Sequence, residues 1–362
     1  LQKRYLKESY NKLSKWFLLS YTLGILIIII LLLIAIRCYV PMKLGLGILI
    51  TLGCSLLPII FGVLFLVLKR GKVMIIVLSI VLGSILVLIL ALLFRTLYVN
   101  TTTVSKTYNL VESFDKIKIE TKTYDVRIYL SENGENKIIY DENINMSVET
   151  KIIDGELIIK QLDNRKFYEK LFSFNKLKME IYLSNQVIDL LNIKASTSNI
   201  EINSGFTFNN VNIINSTGNV MITSDVNKDV NIVNSTGDIK LINSNIKGEV
   251  NLTASTGDIK LTKVRCDSLD IKISTGDVVI EDVIVNNNFD MIGSTGDLKF
   301  SDFDALNINV KISTGDIEGT LLTHKFFVAK SSTGRVNVPE TRDGGECRVT
   351  TSTGNIYIRC KE

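Results

Sequence analysis

Hydrophobic residues are distributed in two different ways along this chain. In the first hundred residues they form three continuous apolar stretches, at residues 16–36, 44–68 and 73–97. Each stretch has at least the roughly 20 residues that an α-helix needs to cross the core of a bilayer. From about residue 107 onward, apolar and polar residues mostly alternate, as in a β-strand with one buried face. The pattern predicts a membrane domain with three transmembrane helices at residues 1–98, followed by an all-β region.

Charged residues indicate how these spans are oriented. Residues 1–98 carry 11 basic residues and one acidic residue, whereas residues 99–362 carry 30 basic and 36 acidic residues. The basic residues concentrate before the first span and between the second and third, and the positive-inside rule places such segments in the cytoplasm. We therefore expect a cytoplasmic N-terminus at the cell membrane and an extracytoplasmic β region. The negative charge of that region argues against nucleic-acid binding, and the uncharged span centres favour anchorage over transport.

A short motif, Ser-Thr-Gly, recurs through the β region at nearly constant spacing. Its serine occupies positions 216, 235, 255, 274, 294, 313, 332 and 352, and a Ser-Thr-Ser variant begins at Ser196. Successive motifs are 19 or 20 residues apart. A unit of this length with two short strands cannot bury its own apolar face, but stacked units can. The repeat predicts a β-solenoid of about nine coils of ~20 residues each.

The motif glycine marks a tight turn between the two strands of each coil, because glycine readily adopts the positive φ of such turns. Tandem hairpins in a sandwich are the alternative fold, but they do not require one fixed motif at the same corner of every repeat. The predicted turn glycines are Gly218, Gly237, Gly257, Gly276, Gly296, Gly315, Gly334 and Gly354.

Three segments make up the predicted organisation after the membrane domain. Residues 99–106 form a polar linker, residues 107–195 an irregular N-terminal β region that caps the solenoid, and residues 196–362 the solenoid with STG repeats. Within the second segment lies a basic and aromatic run. It is interpreted either as a cap over the first coil or as a surface contact with anionic wall polymer or lipid headgroups. The candidate contact residues are Arg165, Lys166, Phe167, Tyr168 and Lys170.

Several stretches of the β region form a recognisable combination. FDKIKIETKTYDVRIYL at residues 114–130 is followed by DGELIIK, by KMEIYL and then by copies of STGDIKL. Together they resemble the bacterial putative-adhesin β-strand-repeat family, a domain of unknown function, over about residues 107–362. The resemblance implies a solenoid that is often anchored in the membrane of the cell envelope. It implies no catalytic residue, because none is established for the family.

An acidic residue follows the motif glycine in five consecutive coils. Stacked carboxylates ~5 Å apart repel each other by about 1 kcal/mol per pair in water, so something should compensate. In one interpretation each carboxylate accepts N–H groups of the turn, with nearby lysines offsetting the charge. In the other, the carboxylates form a calcium ladder, since oxygen-rich turns suit Ca²⁺. These residues are Asp238, Asp258, Asp277, Asp297 and Asp316.

Residues suited to catalysis or metal binding are scarce. His324 is the single histidine, which argues against Ser-His-Asp and Cys-His catalysis and against histidine-based zinc sites. A glycan-acting β-helix enzyme remains an alternative, with its candidate site where the repeat is interrupted near His324 and Arg335. Cys347 and Cys360 flank the last motif and form either a disulfide or two free thiols.

The sequence thus predicts a membrane-anchored, non-enzymatic protein for binding, adhesion or sensing at the bacterial cell envelope, without a cofactor. The candidate partners are cell-wall glycan, teichoic acid or another envelope protein. A structural scaffold that self-associates through its coils is the alternative function.

Overall fold

The structure of the protein is a computed structural model that describes residues 103–165 and 177–361, together with residue 83. The chain divides into two compact units, Leu1–Tyr98 and Val99–Glu362. Within the described residues, no helix combines the length and the apolar character needed to cross a membrane. The three predicted spans lie outside the described residues and stay a prediction.

The described part of the second unit is all-β and contains 24 strands. Their bounds are β1 Val104–Asn109, β2 Lys116–Thr121, β3 Tyr124–Leu130, β4 Lys137–Glu142, β5 Met146–Ile153, β6 Glu156–Asp163, β7 Leu177–Leu183, β8 Val187–Thr197, β9 Ile200–Ile202, β10 Thr207–Thr217, β11 Val220–Ile222, β12 Asp225–Val226, β13 Val230–Thr236, β14 Ile239–Asn245, β15 Glu249–Thr256, β16 Ile259–Cys266, β17 Ser268–Thr275, β18 Val278–Thr295, β19 Leu298–Thr314, β20 Ile317–Leu321, β21 Phe326–Thr333, β22 Val336–Asn337, β23 Glu346–Thr353 and β24 Ile356–Cys360.

Strands from successive repeats pair in parallel and form columns along the molecule. In the first column, which holds the strands before each motif, β8 pairs with β10, β10 with β13, β13 with β15 and β15 with β17. In the second column, which holds the strands after each motif, β9, β11, β14 and β16 pair in the same order. The motifs lie in register, so that Thr217 is opposite Thr236 and Thr236 is opposite Thr256. This confirms the predicted β-solenoid, with nine motif-bearing coils in the described region.

A bend after the second column adds a third side to four consecutive coils. Asn243, Lys263, Asp282 and Asp302 have φ between 51° and 55°, and each lies eight residues after a motif serine. Beyond the bend the strands of neighbouring coils pair again, and Val264, Val283 and Phe303 at equivalent positions are buried in the interior. The sequence had predicted only two strands per coil.

The interior of the solenoid is one continuous hydrophobic core. In a typical coil, Val230 and Ile232 of β13 and Ile239 and Leu241 of β14 are all at most 1% exposed. Their burial follows from the alternation of side chains along a strand, and each contributes about 1.5–3 kcal/mol relative to exposure. Branched Val and Ile side chains also suit the pleated surface of a sheet.

Chain order and spatial order differ at both ends of the solenoid. At the N-terminal end, β2 lies between β6 and β8, and β3 lies between β7 and β9. At the C-terminal end, β23 lies between β19 and β21, and β24 lies between β20 and β22. Residues 107–195 therefore contribute coils to the same stack, and their antiparallel strands β1, β4 and β5 cover its N-terminal end.

Candidate functional site

The motif turns of successive coils form a continuous edge, here called the STG corner, in which the backbones touch. Gly276 has a φ of +143°, and a Cβ built on it would lie 2.1 Å from the carbonyl oxygen of Gly257. Glycine is thus required twice, by the backbone conformation and by the close approach of the neighbouring coil. All eight predicted turn glycines have a positive φ, from +121° to +157°.

The residue after the motif glycine links each coil to the next. The Oδ1 atom of Asp238 accepts the backbone N–H of Asp258 at 3.1 Å, and Oδ1 of Asp258 accepts the N–H of Asp277 at 2.9 Å. The same bond runs from Asp277 to Asp297 and from Asp297 to Asp316. These contacts correspond to the first of the two interpretations of the five aspartates, in which each carboxylate accepts an N–H group of a turn.

The side chains after the motif glycines and the N–H groups that they accept are here called the ladder of the STG corner. Lysines next to this ladder offset part of its negative charge. Lys240 Nζ lies 3.6 Å from Asp238 Oδ2, and Lys299 Nζ lies 3.7 Å from Asp297 Oδ2. Lys260 instead pairs with Glu281 of the next coil at 3.0 Å. In the part of the chain that the structure describes, no group of three or more His, Cys, Asp or Glu residues is arranged to hold a metal ion.

Buried polar side chains support the STG corner from inside. The Nδ2 atom of Asn234, which is 1% exposed, donates to the carbonyl oxygens of Gly218 at 2.9 Å and of Gly237 at 2.8 Å. In the last motif-bearing coil, the hydroxyl of Thr351 donates to the carbonyl oxygen of Gly315 at 3.1 Å. These residues precede the motif serine, where the sequence shows no fixed residue type, so their role was not predicted.

The serine and threonine of every motif point outward. All nine motif serines and all nine motif threonines are exposed, in two rows with the ~4.8 Å spacing of neighbouring strands. Other outward positions vary between coils: two residues before the motif serine the chain has Ile214, Val233, Thr253 and Lys272 in turn. The hydroxyl rows are therefore retained at a position where the side chains lie in solvent.

The predicted contact residue Arg165 is not at the surface. Its side chain is 5% exposed and donates from Nε and from a terminal guanidinium nitrogen to the two carboxylate oxygens of Asp163, at 2.8 and 3.0 Å. This paired geometry turns the guanidinium of Arg165 inward, and the surface contact through this segment stays a prediction. Lys166, Phe167, Tyr168 and Lys170 lie outside the described residues.

At the interruption of the repeat near the C-terminus, the two candidate residues His324 and Arg335 make separate contacts. His324 Nδ1 lies 3.9 Å from Asp343 Oδ1, and both side chains are exposed to solvent. Lys325 is buried and pairs instead with Asp304, with Nζ 2.8 Å from Oδ1. The backbone N–H of Arg335 donates to Asn355 in the ladder of the STG corner.

The three described cysteines, Cys266, Cys347 and Cys360, are free thiols. Burial raises the pKa of the Cys266 and Cys347 thiols to about 12. The pKa of the half-buried Cys360 is also raised, chiefly by burial. Of the two alternatives for the last coil, the structure has the free thiols rather than the disulfide.

A protein-family model described as Toastrack DUF4097 matches residues 114–291. These residues belong to the Toastrack family. The matched segment begins at the FDKIKIE stretch on which the resemblance rested, and it extends from β2 into β18. It includes the turn glycines from Gly218 to Gly276, so the Toastrack domain contains much of the STG corner.

Three of the solved structures that resemble the Toastrack solenoid come from Bacteroides and Parabacteroides species. A putative adhesin from Bacteroides fragilis is 16% identical, with 71% of this chain and 97% of that chain covered and a TM-score of 0.44. A putative adhesin from Parabacteroides distasonis is 15% identical over the same shares, with a TM-score of 0.47. A putative lipid binding protein from the same organism is 14% identical, again covering 71% and 97%, with a TM-score of 0.46. A comparison with curated proteins found no match.

Proposed function

We propose that this protein is a non-enzymatic binding protein of the bacterial cell envelope, anchored in the cell membrane by residues 1–98 and carrying the Toastrack solenoid outside. The three apolar stretches support the anchor, since each is long enough to cross a bilayer. The excess of basic residues before the first span and before the third supports an extracytoplasmic solenoid.

The observation that carries the binding proposal is the pair of exposed hydroxyl rows on the STG corner. Each motif threonine is a donor and an acceptor of hydrogen bonds, repeated at the spacing of the coils. A ligand that is itself a linear polymer can engage many such positions at once, which multiplies weak contacts.

Cell-wall glycan is the partner that this surface fits best. Its hydroxyl groups can donate to the aspartate oxygens beside the rows and can accept from the threonine hydroxyls. Teichoic acid fits less well, because its phosphates would meet the row of carboxylates from Asp238 to Asp316. Another envelope protein with a polar edge is the remaining candidate.

Paired substitutions on and off the corner test this proposal. Thr256→Val with Thr275→Val removes two hydroxyls from the corner while keeping the shape and the β-branched side chain. Thr253→Val with Thr320→Val makes the same change on outward positions of the strands. At about 0.5–1.5 kcal/mol per hydrogen bond, the corner variant should bind purified wall glycan roughly tenfold more weakly in a sedimentation assay, and the control variant normally. Equal binding by both variants would show that the STG corner is not the binding surface.

Self-association is the second candidate function, and a specific observation favours it. The last coil in sequence lies between two earlier coils. Two copies of the chain could each insert this coil between the corresponding coils of the other copy.

A further inference from the structure

The last coil in sequence is not the last coil in space. β23 and β24 lie between the coil of β19 and β20 and the coil of β21 and β22. The motif serines of these two flanking coils, Ser313 and Ser332, are 19 residues apart, as in other neighbouring coils. This spacing would allow the two flanking coils to stack directly on each other. Instead, residues 346–360 lie between them.

Backbone hydrogen bonds hold the inserted segment from both sides. On one side the N–H of Gly315 donates to the carbonyl oxygen of Thr353 at 2.9 Å. On the other side the N–H of Gly354 donates to the carbonyl oxygen of Thr333 at 3.0 Å. Cys347 and Val349 of the segment are buried in the core. The two flanking coils thus form a slot that is matched to a strand pair on both of its faces.

The ladder of the STG corner is fitted to this inserted order. Asn355 donates its N–H to Asp316 at 2.6 Å, and its Oδ1 accepts the N–H of Arg335 at 3.0 Å. The guanidinium of Arg335 cannot accept a hydrogen bond, so this residue can only end the ladder. If the coils followed chain order, Arg335 would interrupt the ladder one coil before its end.

A single short connection ties the inserted segment to its own chain. Residues 338–345 contain no strand, include Pro339, and enter the slot at Gly345. A Cβ at Gly345 would lie 1.6 Å from the carbonyl oxygen of Leu306, so the entry is tight. None of the slot contacts depends on which copy of the chain supplies the segment. Exchange of identical elements between copies is a low-cost route to dimers.

We propose that residues 346–361 exchange between two copies of this chain, each copy inserting its last coil into the slot of the other. The partner is a second copy, and the interface is the slot between β19–β20 and β21–β22. The closed monomer and the exchanged dimer have the same contacts. The equilibrium between them therefore depends on the local concentration of the chain and on the connection at residues 338–345. This self-association does not depend on any glycan ligand.

Cysteine pairs across the slot test the exchange. Thr314 and Thr353 are exposed and lie opposite each other. In the full chain with Cys38, Cys54 and Cys360 changed to serine, Thr314→Cys is placed on one tagged copy and Thr353→Cys on a differently tagged copy. The two are co-expressed and treated with a short bis-maleimide. Exchange yields a covalent heterodimer, because the two thiols then come from different chains.

A matched pair inside the solenoid controls for random collisions. Thr236→Cys and Thr256→Cys also lie opposite each other on the exposed corner, but in coils that are not inserted. This pair should give no heterodimer when split between two copies. A chain that carries both Thr314→Cys and Thr353→Cys reports the closed monomer by an internal cross-link. The proposal is overturned if that chain closes internally while the split slot pair gives no more heterodimer than the control pair.

Discussion

Oδ1 of Asp258 accepts the backbone N–H of Asp277 in the next coil at 2.9 Å. The bond repeats along the corner with a fixed direction: each side chain accepts from the following coil, and each N–H donates to the preceding one. What the position requires is an acceptor oxygen rather than a negative charge. Asparagine therefore serves at Asn219, whose Oδ1 accepts the N–H of Asp238 at 2.9 Å.

Two substitutions of Asp277 distinguish the need for an acceptor oxygen from the need for a negative charge. Asp277→Ala leaves the N–H of Asp297 without its 2.8 Å bond and should lower the free energy of unfolding by about 1 kcal/mol. Asp277→Asn keeps an acceptor and relieves repulsion between stacked carboxylates, so its stability should equal or exceed that of the parent, most clearly at low salt. Urea unfolding at two salt concentrations measures both. If the Asn variant is as unstable as the Ala variant, the charge itself is needed, as a bound cation would require.

The motif glycines should be far less tolerant than other glycines with a positive φ. Gly276→Ala forces a Cβ to within 2.1 Å of a neighbouring carbonyl oxygen, in addition to the cost of the conformation. We expect a loss of about 3 kcal/mol or more, from strain and overpacking together. Gly134→Ala is the control, because its φ is +75° but nothing lies within 4 Å of the added Cβ. Thermal unfolding of the two variants should differ clearly, and similar values would show that conformation alone explains the motif.

The stacked coils could be predicted from the sequence because one physical need recurs in every repeat. Alternating apolar residues and a glycine every 19 or 20 residues are properties of a single coil, and stacking follows from them. The third side of the coil was missed because its marker varies: Asn243, Lys263 and Asp282 share a left-handed conformation but no residue type.

The order of the coils could not be predicted from the period, since every coil fits every other. A signal for it was present in the residue after the motif glycine. Arg335 cannot accept a hydrogen bond, whereas Asn355 can, which marks the earlier of these two coils as the outermost. The burial of Arg165 could not be predicted for a different reason: its pairing with Asp163, two residues earlier, is not evident from the composition of the segment.

The buried pair of Lys325 and Asp304 should hold the outermost coil in place. The lysine and aspartate side chains are 6% and 16% exposed, with 2.8 Å between Nζ and Oδ1. Lys325→Met leaves the largely buried Asp304 carboxylate without its cation. The Thr323 hydroxyl and the Ala305 N–H remain as its donors among the described residues. The change should cost about 3 kcal/mol, the lower end for breaking a buried pair. Hydrogen exchange should rise first in β21 and β22, which pair on one side only in the described structure. Lys272→Met removes an exposed partner of Asp270 and should leave these rates unchanged.

Stability should fall above about pH 9 because of the buried thiols. Burial raises the pKa of Cys266 from 9.0 to about 12, so the folded state keeps a proton that the unfolded chain loses. The stabilisation is complete below pH 9 and is lost as the pH rises towards 12. Near pH 10 the loss for one thiol is about 1 kcal/mol. Urea unfolding at pH 8 and pH 10 should therefore show a smaller drop for Cys266→Val than for the parent, and equal drops would contradict the assignment.

The location of the solenoid can be read with a thiol on the STG corner, where the native cysteines cannot report it. Cys266 is 2% exposed and its thiol stays protonated, so it should not react with a maleimide in either compartment. Thr256 is exposed at the corner. In a chain with Cys38, Cys54 and Cys360 changed to serine, Thr256→Cys should react with a membrane-impermeant maleimide in intact cells, because the charge asymmetry of the spans places the solenoid outside. The same chain without Thr256→Cys should stay unlabelled before and after lysis. Labelling of Thr256→Cys only after lysis would place the hydroxyl rows in the cytoplasm, where they cannot meet a wall polymer, and the proposed function would fail with the orientation.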